Sequence, residues 1–373
     1  MIYKDYLTNS GRSLLRWYVI LAAVLPALFA PFAAAAENAG DEPVAQAYCL
    51  QRGDEIQVFI ENDSFGSTDQ YYTNGIKFGC GIPAGRVSKL FTLPPDALLR
   101  QITDGAQNHF GLFLGQNLYT PRDISITAPQ PNDRPWAAWL YVGAVAQSVK
   151  EEVLDSGITE GRLHTVEVDL GVVGPPALGR QVQSFWHRHI VDAPEPKGWG
   201  NQIRGEPGFM VSYLHKRRYG NRNGVQFVPH AGLSLGTIMT FVRTGGIVRI
   251  GQNMTGFGPD SIEPGGAMLK NARFLKESEG GAGDVRRDFE WFAFAGVDGR
   301  VIGHNIFLDG SLFRDGPGVQ RRDTVYDISA GLSLRLDQLR VSVTRIKRSE
   351  EFRTPAGGGG RQRFYSVNIG VEF

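Results

Sequence analysis

Short apolar runs separated by Gly, Asn, Asp and Pro clusters fill most of the chain after residue 54. In the last run, residues 365–373, apolar side chains alternate with polar or small ones. A strict period of two predicts a strand with one apolar and one polar face. Similar runs are, in chain order, HFGLFLGQNLY, AAWLYVGAVAQSV, LHTVEVDLGVVG, GVQFVPHAGLSLG, DFEWFAFAGVDG and YDISAGLSLRLDQLRVSVTRI.

This alternation is typical of an outer-membrane β-barrel, in which lipid covers one face and a polar lumen the other. Beyond the N-terminal region no apolar stretch is long enough for a membrane helix, so any spanning segment would be a strand. The terminal Phe373, at the end of a strand, is a further barrel feature. A soluble periplasmic sandwich would alternate in a similar way and is the alternative. We therefore predict an all-β, transmembrane antiparallel barrel.

The number of runs predicts 12 to 14 strands. The uncertainty lies in two segments, VQFVPHAGLSLGTIMTFVRTGGIVRI and FEWFAFAGVDGRVIGHNIFLDG, each of which could be one bent strand or two. Because bacterial barrels have even strand numbers, we expect about 12. A barrel of this size uses all of residues 37–373 as one domain.

The N-terminus has the order basic, apolar, small that is typical of a secretory signal peptide, predicted here as residues 1–36. An uncleaved membrane anchor is the alternative, since the apolar run nearly spans a bilayer. Cleavage removes three basic residues and one acid, which changes the net charge from +1 to −1. This balance does not indicate nucleic-acid binding. Two cysteines remain, Cys49 and Cys80, and a disulfide between them is about as plausible as two unpaired thiols.

Oxygen-bearing side chains cluster between the first two predicted strands. Asn62 and Asp63 follow the first strand, and Asp69, Thr73 and Asn74 begin the second. Carboxylate, amide, hydroxyl and backbone oxygens are ligands that Ca²⁺ accepts. The same residue types also form ordinary turns, so a structural loop remains open.

A second constellation follows the fifth predicted strand. Apolar residues recur at helical intervals from Ala177 to about Ile190, and prolines follow. Gln183 and His187 lie four residues apart and hence on one helical face, whereas His189 faces elsewhere. Strand counting places both this helix and the oxygen-rich loop in extracellular loops.

A neutral histidine beside a bound cation can hydrolyse an ester, because the imidazole deprotonates water while the cation stabilises the oxyanion. No G-x-S-x-G motif is present to supply a serine nucleophile, which favours water as the attacking group. A lone helical histidine is, however, often only structural. The aromatic motif RPWAAW, with Trp136 and Trp139, could anchor the barrel at the membrane interface or simply pack in its strand.

At these positions the chain resembles the outer-membrane lipid A 3′-O-deacylase family. The motifs are ENDSFGSTDQYYTNG, GQNLYTP with RPWAAWLYVG, and GPPALGRQVQSFWH followed by PEPKGWGNQ, in the same order as in that family. The resemblance covers roughly Glu55 to Phe373. It implies a 12-stranded barrel that removes the 3′-linked acyl or acyloxyacyl chain of lipid A in a Ca²⁺-dependent reaction.

The resemblance also implies roles for individual residues. Asn62 and His187, with Gln183, would be catalytic, while Asp63 and Thr73 would hold the Ca²⁺ ion. An essential lysine of the family has no secure counterpart here, and Lys77 is the nearest candidate. The implied partners are lipid A or lipopolysaccharide and the outer membrane itself, and we expect a monomer.

Two other classes of function stay open from the sequence. The chain could be a non-catalytic outer-membrane barrel, such as a porin, an adhesin or a structural protein, whose loops are only surface turns. It could also be a soluble periplasmic hydrolase.

Overall fold

A computed structural model describes residues 54–63, 70–83, 107–153, 158–191, 193–263 and 289–373. The predicted signal peptide, Cys49 and Asp69 lie outside these ranges. Cys80 is disulfide-bonded.

Twelve antiparallel strands close into one barrel, which confirms the predicted fold class and strand number. Each strand pairs with its neighbours in sequence, and β1 closes the barrel against β12. The strands are β1 (Glu55–Asn62), β2 (Tyr71–Pro83), β3 (Gln107–Thr120), β4 (Ala137–Val153), β5 (Thr159–Val173), β6 (Glu206–Tyr219), β7 (Gly224–Gly236), β8 (Met239–Gln252), β9 (Phe289–Asn305), β10 (Thr324–Leu336), β11 (Leu339–Arg348) and β12 (Gln362–Glu372).

The structure resolves the two ambiguous segments in opposite ways. The first divides into β7 and β8, because residues 237–238 form a tight connection between them. The second contains the single strand β9, followed by a short helix, α2 (Ile306–Asp309). Asn305 caps this helix, with its side chain accepting a hydrogen bond from the Phe307 amide.

Helix α1 (Gly179–Trp186) lies in the connection between β5 and β6. A 3₁₀ turn, Pro175–Ala177, precedes it, and a π-helical turn, His187–Val191, continues it. The predicted helix is therefore confirmed, with the correction that its last turn is π-helical. No helix in the described ranges is long and apolar enough to cross a membrane.

The outer wall of the barrel is apolar, as lipid contact requires. Large aliphatic and aromatic side chains at alternate positions of the strands are exposed there, for example Leu112, Leu114, Val142, Leu170, Phe209, Leu235, Val248 and Leu334. The side chains between them are directed into the lumen, where charged and polar groups are buried among aromatic rings.

Residues 253–263 fold back from the end of β8 into the lumen. The guanidinium of Arg218 donates to the carbonyl oxygen of Gly256 at 3.0 Å, near the periplasmic end of β6. At the other end of the segment, the Ile262 amide donates to Glu61 at 2.9 Å, and Arg348 binds Glu263. Since Glu61 and Arg348 lie near the extracellular ends of their strands, this segment runs along much of the lumen.

Candidate active site

The barrel register places the two sequence constellations on one surface. Asn62 of β1 pairs with Asn74 of β2, which pairs with Leu118 of β3, which pairs with Ala138 of β4. These four residues form a row across the extracellular end of the wall. Neighbouring Cα atoms in such a row are about 4.5–5.5 Å apart.

The row faces outward. Glu61, directly before Asn62, is directed into the lumen, where it binds the Ile262 amide and the Tyr72 hydroxyl. Successive side chains of a strand point to opposite faces, so Asn62 is directed out of the barrel. Leu118 lies on the same face of β3 as Leu114, which is exposed to lipid. The candidate site is therefore on the membrane side of the rim and outside the lumen.

The loop that carries α1 packs over this row. Leu118 and Ala138 form an apolar cluster with Ala177 and Trp199, from the two ends of the loop. Gln116 of β3 adds a polar anchor, since its side-chain amide donates to the Ala177 carbonyl at 2.6 Å. The close fit depends on a glycine: a Cβ atom at Gly179 would lie 2.4 Å from the Trp199 ring.

His187 is held in one orientation. Its side chain is buried, and Nδ1 lies 2.5 Å from the carbonyl oxygen of Pro194. A carbonyl oxygen can only accept, so Nδ1 carries the proton in this hydrogen bond. In the neutral ring, Nε2 is then the proton acceptor. His187 begins the π-helical turn, a distortion that occurs often at functional sites.

Gln183 lies one turn before His187 and is also buried. Its side-chain oxygen accepts a hydrogen bond from the indole nitrogen of Trp199 at 2.7 Å. This bond fixes the amide so that its nitrogen is the remaining donor. As predicted, His189 faces elsewhere: it is exposed and stacks on Phe185.

The oxygen-bearing residues also gather at the rim. The Asp63 amide donates to the Thr73 carbonyl at 3.4 Å, and the Asp63 carboxylate accepts from the Gln70 amide at 2.6 Å. The hydroxyl oxygens of Thr73 and Thr120 lie 2.7 Å apart. Thr73 sits where the register of β2 against β3 shifts, a local bulge that places it beside the turn.

Asn74 gives a test of whether a cation fits this cluster. Its side chain is 4% exposed, and neither polar atom of its amide has a hydrogen-bond partner in the described part of the chain. Buried amides are normally paired, so a ligand for the amide oxygen is needed here. Amide, carboxylate, hydroxyl and carbonyl oxygens are the donors that Ca²⁺ prefers. Within the described ranges, no group of three or more His, Cys, Asp or Glu residues could hold a metal, so the fit depends on these mixed oxygens.

Comparison with known proteins identifies the family. Residues 19–373 match the family described as Outer membrane protein LpxR. The chain belongs to the LpxR family. The resemblance seen in the sequence motifs is thereby confirmed, and the protein is an outer-membrane β-barrel.

A solved structure shows the same fold. LpxR from Salmonella typhimurium matches with a TM-score of 0.62 and 20% identity, over 86% of this chain and 100% of that one. This identity shows the fold alone. The KdgM porin is a distant match, with a TM-score of 0.34 and 8% identity over 86% of this chain and 99% of that one. No curated protein sequence matches.

The structure also places three other residues of this LpxR-family chain: Lys77, Trp136 and Trp139. Lys77 is inside the lumen, in an ion pair of 2.9 Å with Glu167, on the opposite face of β2 from Asn74. Lys77 thus lies in a barrel strand, where the family's lysine is expected, but its side chain faces away from the oxygen cluster. The interfacial-anchor interpretation of RPWAAW is wrong: Trp136 packs on Trp199 beneath the loop, and Trp139 stacks on Tyr141 in the lumen.

Three contributors to the LpxR-family site were not assigned a role from the sequence. They are Pro194, Trp199 and Thr120, whose contacts are described above. Both Pro194 and Trp199 lie in the quoted motif PEPKGWGNQ. The motif contributed to the family resemblance, but only the folded loop shows that its residues bind His187 and Gln183.

Proposed function

We propose that this protein is a Ca²⁺-dependent outer-membrane esterase that removes the 3′-linked acyl or acyloxyacyl chain of lipid A. The observation that carries the proposal is that His187 is buried at the outer rim and donates from Nδ1 to the Pro194 carbonyl, which makes Nε2 the proton acceptor of the neutral ring. Membership of the LpxR family supports the substrate class. The outward position of the site supports it too, because an outer-leaflet lipid can reach the rim without leaving the bilayer.

In this mechanism His187 Nε2 accepts a proton from water as the water oxygen attacks the ester carbonyl carbon. The ester C–O bond then breaks, and the imidazolium returns the proton to the sugar oxygen. The products are a free 3′-hydroxyl group and a fatty acid. The hydrogen bond to Pro194 keeps the ring in the required tautomer throughout.

The neighbouring residues position the reactants. Gln183, held by Trp199, supports the helix face that presents His187. Asn62 orients the substrate or the cation from β1. Asp63 and Thr73, with Asn74, would hold Ca²⁺ through side-chain or carbonyl oxygens. When bound, Ca²⁺ supplies positive charge that stabilises the oxyanion formed on the carbonyl.

All these residues come from one chain, so we propose that the monomer is active. The lumen also weighs against a passive pore. In the described part of the chain, residues 253–263 run through it, and Arg348 pairs there with Asp327 and Glu263. A porin needs an open, wet lumen instead.

Mass spectrometry of lipid A tests the proposal. Lipid A is isolated from cells that express wild type, His187→Ala or the exposed control His189→Ala. Each sample is compared with and without a calcium chelator applied to the membranes. Loss of the 3′ acyl or acyloxyacyl mass is expected for wild type and His189→Ala with free Ca²⁺ only. Unchanged lipid A in every sample, with correctly inserted barrel, would support the non-catalytic alternative.

A further inference from the structure

Three cationic side chains lie together on the outer wall beside the candidate site. Arg345 and Lys347 are on β11, and Arg363 is on β12. All three are exposed, whereas the neighbouring residues Ile346 and Phe364 are buried in the lumen. Lys347 pairs directly with Arg363 across the two strands, so the three charges form one patch at the extracellular end. We call these three residues the outer basic patch.

The patch lacks counter-charges in the described part of the chain. No carboxylate there forms an ion pair with Arg345, Lys347 or Arg363. Arg348, the next residue of β11 but directed inward, pairs with Glu263, Asp327 and Glu351. Like charges directly opposite one another in a sheet repel. Arg345 lies over the Tyr365 ring, 5.9 Å from its centroid, and this contact leaves the three positive charges of the patch available to an anion from outside the protein.

The patch adjoins the oxygen cluster. Tyr365 of β12 pairs with Asn62 on one side and with Arg345 on the other. Two strand spacings put Arg345 about 10 Å from Asn62 along the wall. The loop with α1 covers the other side of the cluster, above β3 and β4. The candidate site thus has the histidine helix on one flank and the basic patch on the other.

We propose that the outer basic patch binds a phosphate group of the glycolipid substrate and thereby fixes which ester reaches His187. This proposal rests on the proposed esterase function. Lipid A is a phosphorylated glucosamine disaccharide, so one molecule offers both the ester and the anion. Two guanidinium groups can form paired hydrogen bonds with phosphate oxygens, and the lysine adds a point charge. The patch lies at the height of the rim, where lipid head groups lie.

Steady-state kinetics on two substrates tests this subsite. The variant Arg345→Gln/Lys347→Gln/Arg363→Gln is compared with wild type on lipid A that carries its phosphates and on phosphatase-treated lipid A. On phosphorylated lipid A we expect KM to rise about tenfold or more, as for lost charge-assisted hydrogen bonds, with kcat little changed. On dephosphorylated lipid A, wild type and variant should have the same, raised KM.

A matched control removes the same charges at the other end of the wall. Lys150→Gln/Arg162→Gln/Arg217→Gln takes one lysine and two arginines from the periplasmic end, where they pair with Glu152 and Glu160. We expect its KM to equal that of wild type, provided that its melting temperature is unchanged. An equal rise in KM for both triple variants would show a general charge effect and overturn the subsite.

Two further outcomes separate this inference from the esterase proposal. An unchanged KM for the patch variant, while His187→Ala is inactive, would overturn the subsite and leave the esterase intact. If wild type cleaves no lipid A, the subsite is tested by binding alone. Binding of phosphorylated lipid A is then compared between His187→Ala and the same variant with the three patch substitutions. Equal binding by the two proteins would overturn the subsite. If phosphatidylglycerol vesicles displace bound lipid A from the protein as effectively as free lipid A does, the assignment of the patch to the substrate would be overturned.

Discussion

Nδ1 of His187 donates its proton to the main-chain carbonyl of Pro194, seven residues later in the same loop. The loop that buries the histidine thus also sets its tautomer. Because the acceptor is a backbone atom, it is present whatever side chain stands at position 194. The remaining ring nitrogen, Nε2, is then the group on which the proposed chemistry depends.

Replacement of His187 by asparagine separates these two ring functions. The Asn amide nitrogen can keep the hydrogen bond to Pro194, but the side chain has no equivalent of Nε2. We expect a folded protein whose rate of lipid A deacylation is lower by roughly 10² to 10⁴, the usual contribution of a general base. His189→Asn, on the exposed side of the same turn, should retain wild-type activity. Substantial activity in His187→Asn would contradict the role of Nε2.

Trp199→Phe tests the support of Gln183. The substitution keeps the aromatic packing but removes the indole donor to the Gln183 oxygen. We expect kcat to fall about fivefold to tenfold, the value of one buried hydrogen bond, with KM nearly constant. In a Gln183→Ala background the same substitution should have little further effect.

Trp136→Phe is the matched control for Trp199→Phe. Trp136 lies in the same cluster, and its indole nitrogen has no hydrogen-bond partner among the described residues. Both substitutions lose similar volume, so a fall in kcat caused only by packing would be equal in the two variants. That result would rule out a positioning role for Trp199.

Gly179→Ala should displace the histidine helix from the wall. The new Cβ atom would lie 2.4 Å from the Trp199 ring and 2.6 Å from the Ala138 side chain, and neither neighbour can move freely. We expect deacylation to fall by about tenfold or more, as for small misplacements of catalytic groups, while the barrel stays folded. Gly200→Ala, in the same loop, meets nothing within 4 Å and should be neutral. Equal activities of the two variants would contradict a close fit of the histidine helix against Trp199 and Ala138.

The sequence predicted the barrel because short apolar runs recur along the chain and alternate with a period of two, most strictly in residues 365–373. It also predicted that Asn62 and His187 lie at the same rim, since strand counting fixes the side of each loop. Local periodicity does not reveal what covers a face. Trp136 and Trp139 have the residue type of interfacial anchors, yet one lies under the α1 loop and the other in the lumen.

The same limit applies to Lys77 and to the lumen segment. Lys77 is close in sequence to Thr73, but side-chain alternation directs it inward to Glu167. Residues 253–263 have no strand pattern, and their place in the lumen depends on Arg218, Glu61 and Arg348, which are remote in sequence. Such long-range contacts leave no periodic signal.

Asn74→Ala tests the calcium site without touching the proposed base. Asn74 offers a buried amide beside Asn62, so its loss should weaken Ca²⁺ binding by about tenfold, with activity restored at high Ca²⁺. Calorimetric titration with Ca²⁺ alone measures the binding directly. Asn368→Ala is the control, because it removes an equally buried amide that faces the lumen. A Ca²⁺ affinity that is equal in wild type and Asn74→Ala would exclude Asn74 as a ligand.

Asp309 in α2 should make the stability of the extracellular loops depend on pH. Burial raises the pKa of this carboxyl group, but hydrogen bonds from His304 and the Asn305 amide, together with the charge of Arg321, outweigh burial and lower its pKa below 3.8. The folded state thus favours the ionised form. This stabilisation is present above the unfolded pKa of about 3.9 and is lost as the pH falls through the lower folded value.

Thermal unfolding of wild type and Asp309→Asn in detergent, from neutral pH down to about pH 3, measures this effect. We expect the variant to melt at a lower temperature near neutral pH and the difference to shrink in acid, because the wild-type carboxylate becomes protonated there. Asp315→Asn, an exposed residue of the same connection, should follow the wild-type curve throughout. A difference in melting temperature that is constant with pH would mean that the loss comes from packing. The effect of losing the charge must disappear once the wild-type carboxyl group is neutral.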